Sequence, residues 1–301
     1  MNDYSLLVKL YGVRGSYPIA TGTKYGGNTS CIMARTPTHV VLFDAGSGLI
    51  QAGKELIPEI IEHKKTSSDP YQITIMFTHT HIDHLMGLNF FVPVYMQGVH
   101  VNFIGPATLG VDLEEILRTT CEPQFHPVSM DEFRSTKYFE NVNENMVVYF
   151  LKDDPNPYID TSGSPAPENT ELTVTNMKYY FHPKDGSYNY KIECAGKTIV
   201  YATDVEQYVE SDQRLIQFAK EADVLIHDSQ YDVDQYKMFQ GYGHSNYKMA
   251  CDVANQAKVD NLLLFHHDPN NNDEALEKIE SDAKKLFANA RLAKEGWELK
   301  I

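Results

Sequence analysis

Basic side chains are scarce in this chain of 301 residues: 26 Lys and Arg stand against 41 Asp and Glu, a formal net charge of −15. Binding along a nucleic acid needs surplus Lys and Arg to meet the phosphates. A long nucleic acid is therefore excluded as a partner, and an anionic membrane surface with it. Apolar runs are short, and none approaches the roughly 20 residues that span a bilayer. The opening residues Met1, Asn2, Asp3 and Tyr4 lack a basic stretch followed by an apolar one, so no secretory signal is visible. Cysteine is sparse. Cys31, Cys121, Cys194 and Cys251 lie far apart, without the paired short spacing of a disulfide framework or a thiolate zinc site. These features point to a reduced, cytoplasmic protein whose cysteines are small buried hydrophobes.

What the chain does have is apolar material for a core, 42% against 22% charged, and 12 histidines. The apolar pattern predicts strands over 5–13, 29–36, 39–44, 72–78, 99–105, 146–151 and 171–181. It predicts helices over 49–61 and 113–121, and the start of one over 85–91. Between 151 and 171 the segment KDDPNPYIDTSGSPAPENT, with four of the chain's 14 prolines, reads as a loop, either a solvated insertion or a lid. After residue 186 a hairpin is expected over 187–202, turning at Ala195-Gly196. Helices over 212–222, 246–259 and 274–292 then alternate with strands over 223–227 and 261–265. Two mixed β-sheets packed face to face with helices outside, an αββα sandwich, satisfy this order. We treat 1–301 as one domain of two similar halves, about 1–185 and 186–301. A faint echo supports them: HVVLFDAGSG at 39–48 and KTIVYATDVE at 197–206 are each an apolar strand ending in Asp.

The decisive segment is THTHIDH at 78–84, directly after the buried run QITIMF. Three imidazoles and a carboxylate fall within six residues at a strand-to-helix turn. In extended chain His79 and His81 point the same way. Asp83 and His84 lie beyond the turn and face a second point nearby, an arrangement that suits two metal ions.

This segment resembles the HxHxDH signature of the metallo-β-lactamase superfamily, whose ligands lie on loops at the ends of sheet strands. The resemblance implies three further ligands. His182 after ELTVTNMKYYF fits the next histidine, Asp204 after KTIVYAT the bridging acid, and His266 after NLLLF the last histidine. His100 and His126 compete with His182, and His267 adjoins His266. The implied sites are His79, His81 and His182 for one ion and Asp83, His84 and His266 for the other, with Asp204 bridging. Seven nitrogen and oxygen donors suit two divalent ions: zinc first, with manganese or iron as alternatives. With both ions and a bridging hydroxide present, the site carries a charge of about +1, so it attracts an anion within an acidic protein.

LIHDSQY at 225–231 and GYGHSN at 241–246 resemble the acid and second histidine motifs of ribonuclease Z and related phosphodiesterases. Carried over, Asp228 orients His244, and His244 serves the leaving oxygen; with Asp83 these form the expected catalytic set. The bacterial ribonuclease Z inserts a tRNA-gripping arm between the positions of His182 and Asp204, and here that gap is short. YGVRGSYP at 11–18, YGGNTSC at 25–31, the FDAGSG turn, LEEILRTTCEPQFHPVSMDEF and the run GHSNYKMACDVANQAKVDNLLLFHHDPNNNDEAL are similar to small bacterial phosphodiesterase-like hydrolases, relatives of the cyclic-nucleotide phosphodiesterases. Asn189, where that group has Gly, and the Pro-rich insertion depart from the pattern, both near the expected pocket rim. Arg14 and Asn28 are candidates for substrate contact, with a structural role for Arg14 equally in view.

The resemblance implies a dinuclear metal-dependent hydrolase of a small phosphodiester, a cyclic nucleotide or similar, attacked by the metal-bridging hydroxide. It implies no long nucleic acid and no membrane, and it allows a homodimer. The rival readings are a di-iron sensor of oxygen or a ligand, and a hydrolase of carboxylic esters, lactones or thioesters.

Overall fold

In the computed structural model, which describes residues 4–20, 23–144, 146–161, 163–207 and 211–300, the short apolar runs of the sequence form two mixed sheets. The first contains β1 (Leu7–Gly12), β2 (Cys31–Arg35), β3 (Val40–Phe43), β4 (Tyr71–Met76), β5 (Val99–Gly105) and β6 (Thr136–Asn141). The second contains β7 (Met146–Leu151), β8 (Asp154–Thr161), β9 (Thr170–Tyr179), β10 (Ser187–Cys194), β11 (Lys197–Ala202), β12 (Val224–Asp228), β13 (Asn261–Phe265) and β14 (Ala290–Leu292). The last strand, β15 (Glu298–Lys300), returns to pair with β1, giving the order β15-β1-β2-β3-β4-β5-β6 beside β14-β13-β12-β11-β10-β9-β7-β8. Each sheet holds one parallel block, β3 to β6 and β11 to β14, and is otherwise antiparallel. Parallel strands are covered on both faces. Accordingly β3, β12 and nearly all of β4 and β13 are buried throughout.

One apolar layer, with Leu10, Phe43, Met76, Phe150, Tyr190, Tyr201 and Phe265, fills the space between the sheets. A second lies under α1 (Gly48–Thr66), whose Leu49, Leu56 and Ile60 share a cluster with Ile73 and Ile75. The third joins Leu225, Leu262 and Leu264 to Ala250, Val253 and Ala254 of α5 (Tyr247–Ala257) and Leu276 and Ile279 of α6 (Asp273–Leu286). Helices α2 (Leu113–Thr120), α3 (Gln213–Phe218) and α4 (Val233–Phe239) complete the set. This is the αββα sandwich expected from the element order. The boundary drawn at 185 falls between β9 and β10, whereas the change of sheet falls between β6 and β7.

Several local expectations are corrected. Residues 85–91 form short 3₁₀ turns instead of the start of an α-helix, because Gly87 N–H donates to Ala45 O at 2.8 Å rather than back along its own turn. The helix expected over 274–292 stops at Leu286, and Ala290–Leu292 pairs in parallel with β13 as an edge strand. The Pro-rich stretch is not all loop. Residues 154–161 form β8, the outer strand of its sheet, where Pro155 and Pro157 are tolerated because an edge has no partner for the missing N–H. Pro155 shares a surface cavity with Tyr71 and Gln72, at the start of β4 and so away from its histidine-bearing end. Ser162 of that stretch lies outside the described residues. All four cysteines are buried and unpaired. Among the described residues no helix is long and apolar enough to cross a membrane.

Candidate metal centre

Both parallel blocks end at the same cleft, and their ends deliver the polar side chains. After β4 the chain passes Thr78 to His79, His81, Asp83 and His84; the turn after β9 brings His182. Strand β11 leads into Asp204, β12 ends on Asp228 and β13 leads into His266. Asp204 and His266 adopt left-handed backbone conformations, φ 54° and 61°. Such conformations are costly for residues other than glycine and cluster at functional sites, where surrounding contacts hold them.

Asp204 is the centre of the arrangement. Its Oδ2 lies 3.6 Å from His79 Nε2 and 3.7 Å from His182 Nε2, and His182 Nε2 lies 3.0 Å from His81 Nδ1. Its Oδ1 lies 3.2 Å from His84 Nε2 and 3.4 Å from His266 Nε2; Asp83 Oδ2 lies 3.5 and 3.4 Å from the same two nitrogens. One carboxylate thus faces two separate sets of donors. His81 alone of the seven is solvent-exposed and sits at the mouth. His244 stands next to both sets, with Nδ1 2.8 Å from Asp228 Oδ2 and 3.9 Å from Asp204 Oδ2.

The far side of each ring determines which nitrogen is free. His182 Nδ1 donates to Gly243 O at 2.9 Å, and His266 Nδ1 to Gln230 Oε1 at 2.9 Å. His79 Nδ1 donates to Thr78 Oγ1 at 3.0 Å, because that hydroxyl gives its own proton to Asp44. His84 Nδ1 lies 2.9 Å from Asp44 Oδ2, in contact though off the angle of a straight hydrogen bond. Each partner places a lone pair on the Nε2 that points inward. The Nε2 atoms of His79, His84 and His266 are buried without a hydrogen-bond partner, which is costly unless something else occupies their lone pairs.

The electrostatics agree. Burial holds His79 below the ordinary histidine range and His182 down at about 4, in the neutral form a metal requires, and partial desolvation of the ring lowers His81 as well. Burial also opposes charge on His84, yet Asp204, Asp44 and Asp83 outweigh it and raise its pKa well above the usual value. Three buried carboxylates converging on one imidazole create the negative potential that a divalent cation neutralises. The donor set fits two such ions.

Sequence reasoning missed the supports. Asp44 is fully buried and accepts from Thr78 N at 2.8 Å and Tyr201 Oη at 2.9 Å. Ser16 N donates to Asp83 Oδ2 at 2.8 Å. That close pass relies on Gly15, where a Cβ would lie 2.4 Å from His266 Nδ1. The FDAGSG and VRGS segments contained these residues, but nothing in them showed what they touch.

Arg14 and Asn28 have structural partners. Buried Arg14 donates to the carbonyls of Gly26, Asp268 and Asn271, and Asn28 bonds Glu295 through its backbone N and its Nδ2. Asn189 is not at a rim: it is fully buried in β10, paired with Met177. Of the competing histidines, His100 bonds Thr136 and Asn102, His126 bonds Val128 O, and His267 turns away to donate to Ala293 O at 2.9 Å.

A family model described as beta-lactamase superfamily domain matches residues 39–267. The ribonuclease Z of Picrophilus torridus is 25% identical over 321 aligned positions, covering 98% of this chain and 95% of that protein. Among solved structures, the metallo-beta-lactamase fold protein YhfI from Bacillus subtilis superposes with a TM-score of 0.66 at 20% identity, covering 98% of this chain and 99% of that one. A diphosphatase from the PhnP family gives 0.66 at 14% identity, with 98% of each chain covered. At these identities the solved structures bear on the fold alone.

Proposed function

We propose that this chain, which belongs to the beta-lactamase superfamily, is a metal-dependent phosphodiesterase acting on a small phosphodiester, a cyclic nucleotide or similar. The observation that carries the reading is Asp204, whose two oxygens face two separate donor sets beside the His244–Asp228 pair. We assign His79, His81, His182 and Asp204 to one divalent ion, and Asp83, His84, His266 and Asp204 to the other. Zinc is the first choice for these donors, with manganese or iron as alternatives. When bound, such a pair supplies Lewis acidity to the phosphoryl oxygens and makes an attacking water more acidic.

The chain's own residues do the rest. Burial disfavours a charged His244, but the Asp228 carboxylate at 2.8 Å outweighs it and raises the imidazole pKa to about 9. In the metal-free chain the protonated ring is thus favoured, and we assign its proton to the departing oxygen, since expelling an alkoxide from phosphorus is slow without one. Asp228 fixes the ring and also accepts from Ser245 N at 3.1 Å, so ring and loop are placed together.

The likeness to ribonuclease Z keeps RNA cleavage as a second reading. Two features support the smaller substrate. The net charge is −15, and the chain between His182 and Asp204 forms little more than the β10–β11 hairpin, with no inserted arm. Metal-loaded protein should hydrolyse bis(p-nitrophenyl) phosphate and a cyclic nucleotide faster than it processes a precursor tRNA; the reverse order favours the second reading. Asp204→Ala should abolish both metal content and turnover. Undiminished turnover in that variant refutes the assignment.

A further inference from the structure

We propose that Glu206 is a positioning residue that locks the loop carrying His244 against the metal-facing end of β11, and through that loop aims His182 at the ion. The inference rests on the reading of His182 and Asp204 as metal ligands. Glu206 is fully buried two residues beyond Asp204, and its carboxylate touches none of the seven assigned ligands. Instead it accepts from the loop beyond α4. Gly241 N donates to Oε1 at 2.6 Å and Gly243 N donates to Oε2 at 2.7 Å, while Tyr236 Oη of α4 lies 3.0 Å from both Oε1 and Gln207 O and shares its one proton between them. Both oxygens of the side chain have lone pairs for these donors, so one residue spans two turns of the loop and α4.

What those donors hold explains the purpose. Gly243, whose N–H is fixed by Glu206, offers its carbonyl to His182 Nδ1 at 2.9 Å. The next residue is His244. The fit is close: φ at Gly243 is 91°, and a Cβ there would lie 2.3 Å from His182 Nδ1, so the loop lies directly against the ring it orients. The latch is continued by Ser245 Oγ, which donates to Val205 O at 2.6 Å. Residues 204–206 therefore carry a proposed ligand and two attachment points for the loop that orients a second ligand and bears the proposed acid. A shift of that loop moves His182 and His244 together.

The test is Glu206→Gln, which preserves shape but turns an –NH₂ toward a backbone N–H or the tyrosine hydroxyl. Zinc affinity is measured by competition with a chromogenic chelator, alongside the thermal midpoint of the metal-free protein and kcat and KM on bis(p-nitrophenyl) phosphate. We expect a metal-free midpoint lowered by a few degrees, zinc affinity reduced about 10- to 100-fold, and a fall in kcat with little change in KM. If Glu206→Gln does not fold, Glu206→Asp, which keeps the carboxyl group but shortens the reach, is assessed in the same way. A folded variant that binds zinc within twofold of wild type overturns the proposal, as does a wild type that binds no zinc. A wild type that binds zinc but cleaves no phosphodiester defeats the functional reading alone, and the zinc titration still decides the role of Glu206.

Discussion

Replacing Asp44 with Asn should remove one metal ion without replacing any proposed ligand. In the structure Asp44 Oδ1 accepts from Thr78 N at 2.8 Å and Thr78 Oγ1 at 3.0 Å, while Oδ2 faces Tyr201 Oη and His84 Nδ1, each at 2.9 Å. Asparagine retains its oxygen on the Thr78 side, because the backbone N–H there has no alternative acceptor on this side chain. The new –NH₂ then faces Tyr201 and His84. The tyrosine hydroxyl turns to accept, but His84 Nδ1 now meets a donor and must itself accept. The ring proton moves to Nε2, the atom 3.2 Å from Asp204 Oδ1, and the lone pair for the metal is lost. A changed outer partner of this kind typically costs 10- to 100-fold in metal affinity or activity, and a buried donor without a clean acceptor costs about 1–3 kcal/mol of stability. Elemental analysis after dialysis should fall from about two ions per chain toward about one, with turnover reduced in parallel. Two retained ions and turnover within twofold of wild type would show that Asp44 does not set the tautomer of His84.

Two further outcomes follow from the same geometry. His244→Ala leaves every proposed ligand in place, so metal content should stay unchanged while kcat on a phosphodiester falls about 10²- to 10⁴-fold; retained kcat removes His244 as the acid. Chelation should lower the thermal midpoint, because Asp44, Asp83 and Asp204 then converge on His84 with only its proton to offset them. Free ion at 100 times its Kd is worth about 2.7 kcal/mol, and an unchanged midpoint by scanning calorimetry argues that no ion binds the folded chain.

The sequence made the inner donors legible and left their supports hidden, for a physical reason. A donor of this kind is an unusual residue type at the end of an apolar run, so His182, Asp204 and His266 stand out beside KYYF, VYAT and LLLF. Their supports are ordinary residues whose partners lie far away in the chain: Asp44 with Tyr201, Glu206 with Gly243, Ser16 with Asp83. Sequence spacing carries no information about such pairs. The same distinction runs through the fold. Buried strands such as β4 and β13 are uniform apolar runs and are easily recognised. Edge strands are half-wet and hold prolines or charges, so β6, β8, β14 and β15 lacked a pattern. Helix α4 is short, marked only by the Asp232–Gln235 capping box.

The faint echo between 39–48 and 197–206 now has a structural meaning. Both segments are strands that open the parallel block of their sheet, β3 in one and β11 in the other. Each runs into an aspartate with a left-handed backbone, φ 62° at Asp44 and 54° at Asp204. From that turn the Asp44 carboxylate reaches Thr78 and Tyr201, and the Asp204 carboxylate reaches the histidine cluster. The two aspartates reach opposite nitrogens of one ring: Asp44 lies 2.9 Å from His84 Nδ1 and Asp204 3.2 Å from His84 Nε2. The imidazole is therefore held between matching corners of the two sheets. An ion that displaces the proton on Nε2 would link those corners through His84, so binding it also tightens the sandwich. The acidic pair that leaves the metal-free centre electrostatically strained is the feature that rewards occupancy, because the same charges that raise the pKa of His84 are cancelled when a cation replaces its proton.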